Sequence, residues 1–165
     1  MKIALCQINP ILGSFTYNQK LIEKNYYAAL ENGADLIVFP EMSITGYPPQ
    51  DLLLQKDFIK KNEEILHQIA KVSTVPMILG YVRSEDKKIF NSAALCQNGR
   101  VCYTYDKILL PTYDVFDESR YFTSGYKPGI WSIIVSGKEY KVGIQICEDL
   151  WDSDYDIKVI KQQKK

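Results

Sequence analysis

Apolar and polar positions along the first half of the chain alternate between short apolar runs and longer amphipathic stretches. Residues 2–8, KIALCQI, form an apolar run of strand length and predict a buried strand. Residues 14–34, SFTYNQKLIEKNYYAALENGA, place Ile22, Tyr26, Ala29 and Leu30 at helical spacing. Thr16 with Gln19 has the spacing of a capping box, and Gly33 stands where such a helix should stop. DLIVFP, residues 35–40, predicts a second buried strand closed by Pro40. The turn-rich EMSITGYPPQ reads as a loop. Residues 51–73, DLLLQKDFIKKNEEILHQIAKVS, predict one long helix capped by Asp51, with an inner stripe of Leu54, Phe58, Ile65, Ile69 and Val72. VPMILGYV predicts a third strand.

The pattern then changes. KIFNSAALCQ and RVCYTYDK flank Asn98-Gly99, a type I′ hairpin signal. The segment from Ile108 to Ile130 has little periodicity, and loops of that length in compact domains are usually functional or disordered. IWSIIVSGKEYKVGIQIC predicts a second hairpin turning at Ser136–Gly137 and ending on Cys147. Crossovers followed by hairpins imply an α/β chain with a mixed sheet and helices on one face.

Composition adds limits. At 165 residues, 46% apolar and 24% charged, one globular domain is expected. The formal net charge is zero, which gives no footprint for nucleic acid or an acidic membrane surface. The local exception is KVIKQQKK at the end, read as a solvated or frayed terminus. No apolar run approaches the length of a membrane span, and the start does not resemble a signal peptide. Cys6, Cys96, Cys102 and Cys147 match neither a zinc pattern nor a redox pair, so reduced thiols, no metal and a cytoplasmic location are expected.

Three ionisable groups stand at predicted strand ends: Glu41 after LIVFP, Lys107 after VCYTYD, and Cys147 after KVGIQI. Taken alone, a buried structural cysteine explains Cys147 better, and solvent-facing charges explain Glu41 and Lys107 better. Strand ends of one sheet, however, can converge at the crevice where α/β proteins bind ligands. A lysine beside a thiol would lower its pKa, and a carboxylate in apolar surroundings could act as a base. The sole histidine, His67, lies mid-helix, so a Cys–His dyad is not expected.

FPEMSITGYPPQDLLL, YDKILLPTYDVFDESRYF and VGIQICEDLW, in that order, resemble three signatures of the nitrilase, or carbon–nitrogen hydrolase, superfamily. GYPPQDLLL, YDVFDESRYF and CEDLW are most similar to the glutaminase domain of glutamine-dependent NAD synthetases, and KIALCQINPILGSFTYN fits the same group. The resemblance runs from Met1 to about Asp152, leaving residues 153–165 as a divergent Lys-rich tail. It implies a four-layer α-β-β-α sandwich and a Glu–Lys–Cys triad. Glu41 would be the general base, Lys107 the oxyanion lysine and Cys147 the nucleophile. Glu118 would support the lysine, Tyr113 would line the glutamine site, and the backbone N–H of Glu148 would help to form the oxyanion hole. Glu118 reads equally as a surface loop acid, and Tyr113 equally as ordinary aromatic packing.

The implied reaction is hydrolysis of the glutamine side-chain amide through a glutamyl thioester, without metal or organic cofactor. Only eighteen residues follow Cys147. The resemblance therefore implies that the C-terminal part of the sandwich is missing, and that the ATP-dependent synthetase domain is absent. No pyrophosphatase-type loop is present, and SGK at 136–138 lacks P-loop spacing, so no nucleotide site is assigned. Strands lost from the sandwich would leave apolar surface and open edges. A partner chain could cover them, either a separate NAD synthetase chain or a second copy of this chain, and the sequence names none. The alternatives to a glutaminase are an inactive truncated relative and an amidase or nitrilase of other specificity.

Overall fold

The computed structural model describes residues 1–127 and 129–163. Strand β1 (Ile3–Leu5), helix α1 (Phe15–Glu31), strand β2 (Leu36–Val38), helix α2 (Lys56–Ala70) and strand β3 (Met77–Glu85) form the crossover half. β4 (Lys88–Gln97), β5 (Arg100–Asp106), β6 (Ile130–Val135) and β7 (Lys138–Gly143) follow as hairpins, and α3 (Val159–Gln163) closes the described chain. β1 to β5 form one sheet in sequence order, parallel from β1 to β3 and antiparallel from β3 to β5. β6 and β7 form a separate antiparallel pair.

The two sheet faces have different cores. On one, Ile37, Met77, Leu79 and Ala94 pack against Ile22 and Tyr26 of α1 and Ile65 and Ile69 of α2. On the other, Leu36, Ile78, Leu95 and Tyr105 pack against Ile133 and Val135 of β6 and against Ile144 and Ile146. The layers therefore run helix, sheet, sheet, in keeping with the predicted nitrilase-like sandwich. Among the described residues α3 is the only α-helix after β5, and its Val159 joins this second core.

Both predicted hairpins turn where expected. Asn98 and Gly99, and Ser136 and Gly137, all have positive φ, as type I′ turns demand. A third hairpin, β3 to β4, turns at Asp86–Lys87, also at positive φ, without the Gly or Asn that would have announced it.

Several expectations change. α1 starts after Ser14, and no side chain caps it, so Thr16 lies inside the helix. The long helix from Asp51 is two elements. A 3-10 turn (Gln50–Leu54) is separated from α2 by Gln55 in extended conformation. Leu54 consequently leaves the inner stripe and is 72% exposed. β1 is not a buried strand. It is the edge of its sheet, with Ile3 and Leu5 on the same face as Leu36 and Val38 but exposed, because the β6–β7 pair covers that face only in part. Nor is the tail frayed through residue 163. Val159 is fully buried, Gln163 bonds to Gln145 and to the Ile144 carbonyl, and Lys158 Nζ donates to three backbone carbonyls. Lys164 and Lys165 lie outside the described residues. No helix among the described residues is long and apolar enough to cross a membrane.

Candidate active site

Glu41 stands one turn beyond β2, where the chain crosses β3 closely enough that only glycine fits. A Cβ on Gly80 would lie 2.2 Å from the Met42 nitrogen and 2.7 Å from the Glu41 Cα. The Gly80 N–H donates to the Pro40 carbonyl at 3.1 Å, which holds the crossing in place. The next residue, Met42, takes a positive φ of 51° and turns the chain away.

Lys107 directly follows β5. Its N–H donates to the Asn91 carbonyl of β4 and its carbonyl accepts from the Gly125 N–H, both at 2.8 Å. Gly125 is another close approach, since a Cβ there would lie 2.1 Å from the Asp106 carbonyl oxygen. Asp106 itself is clamped by Arg83 through two bonds of 2.9 and 2.6 Å and by the Ser92 hydroxyl at 2.6 Å. The backbone on both sides of Lys107 is thus fixed.

The Lys107 side chain is fully buried and ends between two carboxylates. Nζ lies 2.9 Å from Glu41 Oε1, and 3.0 and 2.9 Å from Glu118 Oε1 and Oε2. Glu118 opens a short 3-10 turn (Glu118–Arg120) in the 108–130 segment and is 5% exposed, which excludes a surface loop acid. The Tyr47 hydroxyl donates to Glu118 Oε1 at 3.1 Å, and Asn91 Nδ2 donates to Glu41 Oε1 at 2.6 Å. Burial acts to lower the Lys107 pKa, but Glu41 and Glu118 outweigh it and the net shift is upward, so the ammonium is kept. Burial raises the Glu118 carboxyl, with Lys107 opposing.

Cys147 is not at a strand end. β7 stops at Gly143, residues 144–146 run on, and Cys147 begins a 3-10 segment (Cys147–Asp154) with φ at 47°. A non-glycine residue at positive φ is strained, by about 1–3 kcal/mol, and such strain clusters at functional turns. The turn leaves the thiol exposed, at one end of a groove of about 340 Å³ whose walls include Glu41, Gly80, Leu36, Ile78 and Ile146. Burial raises the thiol pKa, Glu41 raises it further, and Lys107 opposes them. The expected lowering by lysine is therefore outweighed.

Glu148 and Asp149 follow. The Glu148 side chain accepts from the Tyr113 hydroxyl at 2.8 Å and the Tyr155 hydroxyl at 2.7 Å. Glu148 is the second residue of the 3-10 segment, where N–H groups have no partner within the helix. Tyr113 is half exposed and stacks edge-on against Phe116, so it reaches the site through Glu148 and does not line the groove.

Asp149 is fully buried and accepts four bonds, from the Tyr105 hydroxyl and the N–H groups of Ile108, Leu109 and Ile146. It ties the Cys147 turn to the backbone just after Lys107. Sequence reasoning passed over Asp149, Asn91, Gly80 and Tyr47. CEDLW and GYPPQ contained two of them, but the partners lie 40 to 71 residues away. His67 is exposed on α2, as expected. Among the described residues no three His, Cys, Asp or Glu gather in a set that could hold a metal ion.

The sequence profile described as carbon-nitrogen hydrolase matches residues 2–155. The glutamine-dependent NAD(+) synthetase of Thermotoga maritima is 39% identical over 155 residues, covering 92% of this chain and 26% of the relative. That of Synechocystis is 40% identical over 161 residues, covering 92% and 28%. The solved glutamine-dependent NAD+ synthetase of Acinetobacter baumannii superposes with a TM-score of 0.82 at 38% identity, covering 97% of this chain and 29% of that one. An amidase from Nesterenkonia shares the fold, with a TM-score of 0.75 at 24% identity. The chain thus spans little more than a quarter of the length of the synthetases it matches.

Proposed function

The chain belongs to the carbon–nitrogen hydrolase family, and on that premise we propose that it carries glutaminase chemistry of the kind that supplies ammonia to a glutamine-dependent NAD synthetase. Glu41 takes the proton of the Cys147 thiol as sulfur attacks the side-chain carbonyl carbon of glutamine. The C=O π electrons move to oxygen. The resulting oxyanion is held by the Lys107 ammonium and the Glu148 backbone N–H. When the tetrahedral centre collapses, the C–N bond breaks, Glu41 returns the proton to nitrogen, and ammonia leaves. A glutamyl thioester remains on Cys147. Glu41 then takes a proton from water, whose oxygen attacks the thioester carbonyl. The C–S bond breaks, glutamate departs, and sulfur recovers a proton from Glu41. The scheme calls on no metal or organic cofactor. Glu118 serves by holding the Lys107 ammonium in place.

The observation that carries this reading is the buried Lys107 ammonium, fixed between Glu41 and Glu118, beside the groove that ends on Cys147. A buried cation between two carboxylates is a costly arrangement for stability alone. Glutamate release from glutamine, measured beside Cys147→Ala, tests it. Activity removed by that change supports the reading, and equal activity in both proteins sinks it.

A second reading has its own support. The apolar groove walls and the exposed Ile3 and Leu5 leave the site's apolar side open to solvent. Under that reading the chain holds the triad but turns over glutamine only when another polypeptide covers this face. A separate synthetase chain or a second copy would serve. Recovery of activity on adding such a chain separates the two.

A further inference from the structure

We infer that Asn91 is a positioning residue for the base: with Lys107 it holds Oε1 of Glu41, so that Oε2 is the oxygen left to exchange protons with Cys147. The inference rests on the reading of Glu41 as base.

Asn91 lies on β4 and is 1% exposed. Its Nδ2 donates to Glu41 Oε1 at 2.6 Å, and Lys107 Nζ donates to the same oxygen at 2.9 Å. Among the described residues no donor reaches Glu41 Oε2. The Asn91 backbone carbonyl also accepts the Lys107 N–H at 2.8 Å. One residue therefore fixes the carboxylate through its side chain and the ammonium's backbone through its main chain.

The other end of the amide supports the same conclusion. Asn91 Oδ1 is buried without a hydrogen-bond partner. A buried acceptor without a protein partner costs stability, so the donor end, on Glu41, is what orients the amide. Turning the amide over would not help, because Oδ1 would then face an ionised carboxylate oxygen at the same short distance. The amide orientation is thus set by its donor end, on Glu41 Oε1. The other titratable groups facing Glu41 are Lys107 from the end of β5, Glu118 from its 3-10 turn, Tyr47 from the loop after β2, and Cys147. Of these only Lys107 bonds to the Glu41 carboxylate.

The test uses the purified chain with Asn91→Ala, the near-isosteric Asn91→Asp, and Glu41→Gln to assign the Glu41 carboxyl signal by carbon-13 NMR. At one fixed pH, loss of the donor should move the Glu41 carboxyl carbon-13 signal in Asn91→Ala. The change should be larger in Asn91→Asp, where a second carboxylate faces the first. A residue that merely holds the scaffold would not move that signal. An unmoved Glu41 signal in either folded variant overturns the inference, and so does failure of both variants to fold. Glutamate release separates this from failure of the underlying reading. If Glu41→Gln keeps full activity, the base assignment itself is wrong. If Glu41→Gln is inactive while Asn91→Ala keeps its turnover and its carboxyl signal, only the inference about Asn91 falls. With both correct, Asn91→Ala lowers kcat roughly tenfold or more, with little change in KM.

Discussion

Gly80 and Glu41 meet backbone to backbone: a Cβ at position 80 would stand 2.7 Å from the Glu41 Cα. No flexible side chain intervenes that could move aside. Gly80→Ala should therefore push the Glu41 segment off β3 and destabilise the fold by about 2–3 kcal/mol, in the range of overpacked cores. Urea unfolding measures this. An unchanged midpoint would show that the crossing is looser than the structure has it.

Lys107→Met should be strongly destabilising for a different reason. It leaves Glu118 buried and unpaired, which typically costs about 3–5 kcal/mol. The double variant Lys107→Met with Glu118→Gln should recover much of that loss, since the buried carboxylate is then neutral and the remaining one, Glu41, is partly exposed and keeps its bond from Asn91. The pH dependence has a definite sign. Burial raises the Glu118 carboxyl in the folded state. A raised acid contributes stability that is fully present below its unfolded pKa and is lost as pH rises through the folded value. Without Lys107 to oppose the shift, the single variant should gain stability, relative to the parent, as pH falls toward the ordinary carboxylate range. Equal pH slopes in parent and variant would contradict the pairing.

The Cys147 thiol is raised by burial and by Glu41, against Lys107. A raised thiol is less ionised at neutral pH than a free cysteine. Its alkylation by iodoacetamide in the absence of substrate should therefore climb with pH through and beyond the ordinary thiol range, with no plateau between about pH 6 and 8. Cys147 should nonetheless be the first of the four cysteines modified, because it alone is exposed. Cys96, pushed up to about 12 and buried, should react last. Peptide mass spectrometry over a pH series reads both. A pH-independent fast rate near neutrality would mean a standing thiolate and no need for Glu41 in the attack.

The parts of this site that were legible in sequence are those announced by local pattern. Glu41, Lys107 and Cys147 each follow an apolar run, and the turns at Asn98–Gly99 and Ser136–Gly137 carry residues that positive φ requires. The parts that were not legible depend on what another segment brings. Asn91 sits inside a strand like any polar residue facing inward, until β5 sets Lys107 beside it. Gly80 reads as a weak point in a strand unless the Glu41 backbone is known to cross it. Asp149 looks like one acid of a polar turn, yet it joins that turn to residues 108 and 109. Leu54 was misplaced because Gln55 breaks the helical phase without a proline or glycine to mark the break. The edge position of β1 was hidden for the same reason. An apolar run states what a strand could bury, not which neighbours arrive to cover it.

The central claim is that Cys147 forms a glutamyl thioester under base assistance from Glu41. The most direct measurement incubates the chain with glutamine, quenches in acid, and identifies the modified peptide by mass. The expected result is a mass gain of one glutamyl group on Cys147, absent in Cys147→Ala and strongly reduced in Glu41→Gln. Glutamate release with no adduct on Cys147, and undiminished in Cys147→Ala, would contradict it.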